Sequence, residues 1–256
     1  MIEIKVIQRI VREAAKLFAD RDAAIQIKEK GACDFVTAVD EAVQNYIQGE
    51  LKQNYPEIQF LGEESSDAEV DMDGALWVLD PVDGTTNLIH DYKRSAISLA
   101  LLDKGEIIAA IIYDPYLDEM YCAQKGKGAF LNEKQISVSE AATMKESLIT
   151  FGTSPYFKSE APNLFRTLEK IYMDCQDIRR TGSAALDLAH IACGRIDGFF
   201  EKKLKIWDFA AGTLIIREAG GEVFDYDGKD RTMERMGDVV AGNKIIAKIL
   251  ADTVRC

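Results

Sequence analysis

The sequence predicts a mixed α/β fold in which helices pack on sheets. Three observations carry this reading. Hydrophobic residues make up 47% of the 256 positions and charged residues 29%, a globular mix with enough apolar material for a sizeable core. Residues 95–123 read as successive antiparallel strands. Residues 147–253 alternate strands with helices, the rhythm of helices layered on a sheet.

Each element has its own signal. Ile2, Val6, Ile10, Ala14, Leu17 and Phe18 fall at helical spacing over residues 2–19. Lys28 to Ala32 is a polar, hairpin-like stretch. A second amphipathic helix is expected from Asp40 to Tyr55, with Val43, Tyr46, Ile47 and Leu51 on one face and Pro56 beyond its end. Short strands follow at Ile58 to Leu61 and Leu76 to Leu79. Ser95 to Leu102, Glu106 to Tyr113 and Glu119 to Ala123 form the antiparallel run, with turns at Asp103-Lys104-Gly105 and Asp114-Pro115. A composition shift at Ser137 to Met144 marks a seam between residues 1–138 and 139–256. The first part is read as an α+β subdomain with most candidate ligands, the second as an α/β subdomain with Asp208 and the substrate pocket. In that second part, strands are expected at Ser147 to Phe151, Asp177 to Arg180, Gly198 to Glu201 and Glu222 to Asp225. Helices are expected at Asn163 to Met173, Ala184 to Ala192, Ala210 to Ala219 and Gly242 to Thr253.

Charge and cysteine usage narrow the function classes. Lys plus Arg number 31 and Asp plus Glu 43, so the net charge of −12 repels a nucleic-acid backbone. Bound divalent cations would still let such a protein hold phosphate. The five cysteines, at 33, 122, 175, 193 and 256, are odd in number and include no C-x-x-C. Reduced thiols and a cytoplasmic home follow, rather than a disulfide framework or structural zinc. Charged residues interrupt the N-terminal 20 residues, unlike a signal peptide, and no run of 18 apolar residues is long enough to span a membrane.

The strongest motif is D-P-V-D-G-T-T-N, Asp80 to Asn87, immediately after an apolar strand. Two carboxylates three positions apart repel unless a cation lies between them. An all-oxygen setting suits a hard ion such as Mg²⁺. Gly84 permits a tight turn, and Thr85 and Thr86 offer hydroxyls and N–H groups at a helix start, where phosphate is attracted. A capped turn, with Asp83 or Thr85 as N-cap, is the structural alternative. Glu63 and Glu64 follow another short strand, where a glutamate pair is ordinarily solvated. Asp40 and Asp208 stand at helix starts, where capping is the default role. Four carboxylates at element ends can also converge on one crevice, where α/β folds bind ligands. His90 and His190 and the two tryptophans, Trp77 and Trp207, are read as structural.

The order and identity of these pieces resemble the inositol monophosphatase family of metal-dependent, lithium-sensitive phosphatases. The matching motifs are V-T-A-V-D at Val36 to Asp40, G-E-E-S at Gly62 to Ser65 and the Asp80 to Asn87 octet. They continue with G-S-A-A-L-D-L-A at Gly182 to Ala189, W-D-F-A-A-G at Trp207 to Gly212 and E-A-G-G at Glu218 to Gly221. The resemblance implies an αβαβα sandwich of the inositol monophosphatase and fructose-1,6-bisphosphatase type. It implies two to three Mg²⁺ ions: one on Glu63, Asp80 and the Val82 carbonyl, a second on Asp80, Asp83 and Asp208, a weaker third on Glu63 and water. Phosphate would meet the N–H groups of Gly84 and Thr85. Thr85, in contact with Asp40, would orient and deprotonate the attacking water beside Glu63, with Lys30 and Glu64 as supports. Substrate hydroxyls would meet Asp83, Gly182, Ser183, Ala184 and Glu201.

The implied substrate is a small phosphorylated metabolite, inositol 1-phosphate first. Fructose 1,6-bisphosphate, 3′-phosphoadenosine 5′-phosphate and histidinol phosphate are the alternatives. A non-enzymatic binding protein of the same fold is disfavoured because Glu63, Asp80, Asp83, Thr85 and Asp208 are all present. The resemblance also implies a homodimer. One local departure stands out: Lys202, Lys203 and Lys205 crowd Glu201, and strand alternation puts Lys203 on the same face as Glu201.

Overall fold

A computed structural model describes residues 2–31 and 34–255; side chains of residues 29–34 are not described. Helix α1 (Ile4–Ala14) continues as a 3₁₀ turn over Ala15–Ala19 and buries Ile7, Ile10, Val11 and Ala14. Helix α2 (Arg21–Ala24) is capped by Asp20, which accepts the Ala23 N–H at 2.9 Å. Strands β1 (Ile27–Gly31) and β2 (Asp34–Thr37) form the hairpin expected near Lys28. Helix α3 (Ala38–Asn54) starts two residues before Asp40. Thr37 is its N-cap, and Asp40 accepts the Thr37 N–H at 2.9 Å from the helix's third position. The N-cap role expected for Asp40 is therefore corrected: it is the reciprocal half of a capping box.

The first sheet runs in chain order through β3 (Gln59–Gly62), β4 (Leu76–Asp83), β5 (Ala96–Asp103), β6 (Glu106–Asp114), β7 (Glu119–Gln124), β8 (Ala129–Leu131) and β9 (Lys134–Ile136). Only the β3–β4 pairing is parallel among these described strands. Helix α4 (Thr85–Ile89) leaves the end of β4. All of β4 is buried, with Leu76 and Val78 in one core and Trp77 and Leu79 in another. The period-2 alternation thus feeds two cores from one strand.

The second sheet is built from β10 (Leu148–Phe151), helix α5 (Ala161–Asp174), β11 (Asp177–Arg179), helix α6 (Ala184–Ala192), β12 (Gly198–Lys205), helix α7 (Ile206–Glu218), β13 (Glu222–Phe224), β14 (Met236–Gly242) and helix α8 (Lys244–Arg255). Its strand order is β11-β10-β12-β14-β13. Helices α6 and α7 lie between the sheets, sharing a core with Ala100 and Ile112 on one side and Phe199 and Val239 on the other. They approach closely because residue 212 is glycine: a Cβ there would sit 2.5 Å from the Leu188 Cβ. Helices α1 and α3 cover the outer face of the first sheet. Helices α5 and α8 cover the outer face of the second. The result is the expected αβαβα sandwich. Among the described residues no helix is long and apolar enough to cross a membrane.

Several boundaries differ from expectation. β14 is a full strand where no element was expected, and β8 and β9 were also not foreseen. β4 continues to Asp83 and β12 to Lys205. α7 begins at Ile206, so Asp208 is its third residue and accepts the Lys205 N–H at 2.8 Å rather than serving as N-cap.

Candidate active site

Strand β4 delivers two carboxylates to one place by breaking its own alternation. Residues an odd number apart on a strand face opposite sides. Asp80 pairs with Ser98 and Asp83 with Ala96, so β4 uses one more residue than β5 over this stretch. That bulge, at Pro81-Val82, turns Asp80 and Asp83 to the same side. Asp208 comes from the first turn of α7. Oxygens of Asp80, Asp83 and Asp208 all lie within 4.8 Å of one another. Glu63 opens the 3₁₀ turn after β3, the parallel neighbour of β4, and lines the same cleft.

The electrostatics explain what this cluster needs. Burial and then the charges of Glu63, Asp83 and Asp208 hold the Asp80 carboxyl well above the usual carboxylate range. Asp208 is raised in the same direction by burial, Asp83 and Glu63. Burial pushes Asp83 up to about 6, opposed by the Ser183 hydroxyl and the Ala185 N–H, which donates to it at 2.8 Å. Four acidic groups gathered in a half-buried cleft are stable as anions only with compensating positive charge. The donor set is all oxygen, and it fits hard divalent cations.

The neighbouring groups form a tight frame. The Thr85 hydroxyl lies 2.9 Å from Asp40 Oδ1 and 3.1 Å from the Val82 carbonyl, and its single proton serves one acceptor at a time. Burial raises Asp40, while bonds from Thr37 and Thr85 lower it. Gly84, not Asp83 or Thr85, is the N-cap of α4, at φ +93°. A Cβ there would meet the Arg94 carbonyl oxygen at 2.9 Å and that of Gly182 at 3.1 Å. Asn87 donates from Nδ2 to the Arg94 carbonyl at 2.6 Å and the Thr181 carbonyl at 3.0 Å, fastening the Gly182-Ser183 loop to the octet. Ser183 caps α6, accepting the Leu186 N–H at 3.2 Å, while its hydroxyl holds Asp83.

The cleft has a volume of about 410 Å³. It is also lined by Glu201, Asp187, Arg180, Lys158 and Tyr156, and by Gly182, Ser183 and Ala184. Glu201 is only 7% exposed and accepts the Ser154 N–H at 2.9 Å. Burial pushes its carboxyl up to about 7, against the Ser154 N–H and the charge of Arg180. Gly152 makes room for it: a Cβ there would lie 1.8 Å from the carboxyl group.

The face expected for Lys203 is overturned. Glu201 pairs with Val239 and Leu204 with Gly237, so β12 also carries one extra residue. Lys203 takes φ +58°, and Leu204 rather than Lys203 joins Glu201 in the cleft. Lys203 instead binds Glu160, and Lys202 lies over the Tyr226 ring, both on another surface. Glu64 lines a shallow crevice with Glu63, and its N–H donates to Gln44 at 3.0 Å. Lys30 lies on β1, but its side chain is outside those described. His90 is exposed and does not line the cleft. His190 is half-buried against Tyr121, and burial pushes its imidazole down to about 4. Cys122, Cys175 and Cys193 are free thiols; Cys33 and Cys256 lie outside the described residues.

Several cleft residues, Asn87, Asp187 and Arg180 among them, carry no role in the sequence analysis. Asn87 closes the octet, and its amide joins two loops. Asp187 is an acid within an apolar helix, 2% exposed, which is itself a signal. Arg180 carries no local mark.

The fold and site define a two-sheet sandwich with an acidic, phosphatase-type cleft. The pattern of the inositol monophosphatase family matches residues 2–256, and the chain belongs to that family. It is 40% identical over 258 residues to the Nus factor SuhB of Escherichia coli (strain K12), covering 100% of this chain and 96% of that one. It is also 40% identical over 232 residues to the inositol-1-monophosphatase of Rhizobium meliloti (strain 1021), covering 90% and 86%. Its fold is similar to the crystal structure of the extragenic suppressor protein suhB from Bartonella henselae, with TM-score 0.92, 34% identity and 98% coverage of each chain.

Proposed function

We propose that this chain hydrolyses a small phosphate monoester, with inositol 1-phosphate first among its substrates and Mg²⁺ as its metal. The observation that carries the reading is the convergence of Glu63, Asp80, Asp83 and Asp208 on one cleft beside the Thr85–Asp40 pair. Glu63, Asp80 and the Val82 carbonyl would hold one ion; Asp80, Asp83 and Asp208 a second. When bound, such ions activate water and offset the charge that develops on phosphate.

The chain's own residues do the rest. The Thr85 hydroxyl, fixed by Asp40, positions the attacking water and passes its proton toward the Asp40 carboxylate. The N–H groups of Gly84 and Thr85 face the phosphate, and Gly84's left-handed backbone keeps that approach free of side chain. In the same cleft, Glu201 accepts hydrogen bonds from substrate hydroxyls, worth about 1.5–3 kcal/mol each when charge-assisted. Asp187 adds a second buried acid there. A polyol satisfies both groups, whereas the two acids disfavour a second phosphate and already occupy the charge of Arg180. Inositol 1-phosphate should therefore outcompete fructose 1,6-bisphosphate and 3′-phosphoadenosine 5′-phosphate, with histidinol phosphate the remaining alternative.

The names of the relatives divide between a Nus factor and an inositol-1-monophosphatase. The intact acidic set favours catalysis over a purely binding role. The reading extends to a cytoplasmic homodimer inhibited by Li⁺, which is as hard as Mg²⁺ but carries half the charge. A phosphate-release screen of purified protein with Mg²⁺, across inositol phosphates, sugar phosphates and nucleotides, tests the substrate. No release from any monoester would overturn the reading, as would a preference for bisphosphates. A Li⁺ titration against Na⁺ at equal ionic strength tests the metal site; superimposed curves would count against it.

A further inference from the structure

A second cleft backs onto the first. Its volume is about 370 Å³, and Gly152 lines both. In a chain of net charge −12, the charged residues that line this second cleft, among those described, are Arg166, Lys170, Lys202, Lys203 and one acid, Glu160, while Asp238 and Glu201 also act on its Tyr226. Lys203 binds the Glu160 carboxylate, and Lys202 lies 3.8 Å from it. Both ammonium groups stand over rings, Lys203 at 4.2 Å from the Phe157 centroid and Lys202 at 5.2 Å from that of Tyr226. Phe200, almost fully buried, contributes to the lining. The cleft therefore combines a cationic rim with aromatic walls, and it falls within the size range of small-ligand sites, roughly 300–1,000 Å³.

We propose that this cleft is a second binding site, for a phosphorylated small molecule with a planar ring such as a nucleoside monophosphate, and that its occupancy is felt in the catalytic cleft. The phosphate takes the place of the Glu160 carboxylate between Lys202 and Lys203, and Lys170 approaches from α5. The ring lies along Phe157 and Tyr226. The link to the first cleft is short. Ser154 lines the second cleft, its hydroxyl donates to the Lys202 carbonyl at 2.5 Å, and its N–H holds Glu201 at 2.9 Å. A ligand that moves Lys202 thus pulls on the group that seats Glu201. The binding step is independent of the proposed phosphatase activity, whereas the coupling rests on it.

The probe is AMP, titrated calorimetrically into the full chain in EDTA, where the uncompensated acids of the first cleft reject phosphate. Saturable binding with Kd of roughly 1 mM or tighter is expected. The double variant Lys202→Gln/Lys203→Gln and, separately, Lys170→Gln should weaken it at least tenfold and threefold, respectively, with unchanged circular dichroism. Asp80→Asn should leave it within twofold. With Mg²⁺ present, AMP should shift KM for the best substrate in the wild type and not in the double variant, whose activity without AMP is unchanged. Absence of saturation, binding indifferent to the lysine substitutions, or binding strengthened by Asp80→Asn would overturn the site. Equal AMP effects on wild type and double variant would place AMP in the catalytic cleft and overturn the coupling.

Discussion

Of the strands that line the cleft, β4 and β12 both reach it through a one-residue bulge. In β4 the bulge lies between Asp80 and Asp83. In β12 it lies between Glu201 and Leu204. The first gathers two acids onto one face; the second sends a lysine away from an acid. Strict alternation gives the wrong face in both. The β4 bulge is marked in the sequence by Pro81, which cannot donate to a ladder and belongs at bulges or edges. The β12 bulge has no such mark. It is held by Asp238, whose Oδ1 accepts the Lys203 N–H at 2.9 Å. Asp238 sits on β14, a strand far along the chain. One irregularity is written locally, the other only in the partner strand.

The largest expected effect comes from breaking the β4 cluster. Asp80→Asn should lower kcat/KM by on the order of 10³-fold, since loss of several kcal/mol of transition-state stabilisation has that size. Asp208→Asn should cost less, because Asp80 is the acid assigned to both ions. The same substitution should have the opposite sign in stability. Without divalent ions Asp80 is buried and repelled by its neighbours, so Asp80→Asn should raise Tm in EDTA by a few degrees, at about 2–4 °C per kcal/mol. A fall in Tm in EDTA, or near-normal turnover, would count against the cation site.

The β12 side carries smaller effects. Glu201→Gln should lower kcat/KM for inositol 1-phosphate by roughly tenfold, about 1.4 kcal/mol, and narrow its lead over bisphosphates. Stability gives an independent reading. Burial raises Glu201 from 4.5 to about 7. Below pH 4.5 it is protonated in both folded and unfolded chains. Between pH 4.5 and 7 the folded chain holds the extra proton, so its contribution to stability is lost as pH rises through that window. In EDTA the wild-type Tm should therefore fall more steeply than that of Glu201→Gln from pH 4.5 to 7. Parallel curves would show Glu201 to be solvated.

The antiparallel run of β5 to β7, the α6 span and the acidic octet were legible because their signals are local. Alternating apolar runs end in Asp-Lys-Gly and Asp-Pro turns, and the octet follows its strand directly. What escaped depends on partners. β14, with Met236, Gly237 and Asp238 at its start, looks like a loop until β12 and β13 pair with it from both sides. Asp40 and Asp208 were placed one turn early, since a helix's third residue and its cap both favour Asp. Arg180 lines the cleft next to Thr181, whose carbonyl Asn87 ties to the octet from 94 residues away.

Asp238→Ala tests that dependence directly. It removes the acceptor that holds the Lys203 N–H, a bond worth about 1 kcal/mol, and should lower Tm by a few degrees. Because Glu201 lies at the edge of the same bulge, kcat/KM should fall about threefold, with the loss in KM. An unchanged Tm would mean that the β12 bulge is set by Lys203's own turn rather than by β14.

The smallest effect is the most diagnostic of the two-bulge comparison. Had β12 kept strict alternation, Lys203 would stand beside Glu201, neutralise it and favour a distal phosphate. Lys203→Ala would then change the ratio of inositol 1-phosphate to bisphosphate hydrolysis by tenfold or more. In the observed arrangement Lys203 binds Glu160 and faces Phe157, outside the cleft that Glu201 lines. Lys203→Ala should therefore leave kcat/KM for both substrates within twofold when no nucleotide is present. Its cost should appear in stability alone, by no more than about 1 kcal/mol, because the ion pair it removes is partly exposed. A changed substrate ratio with unchanged Tm would place Lys203 back on the Glu201 face and remove the bulge from the account of specificity.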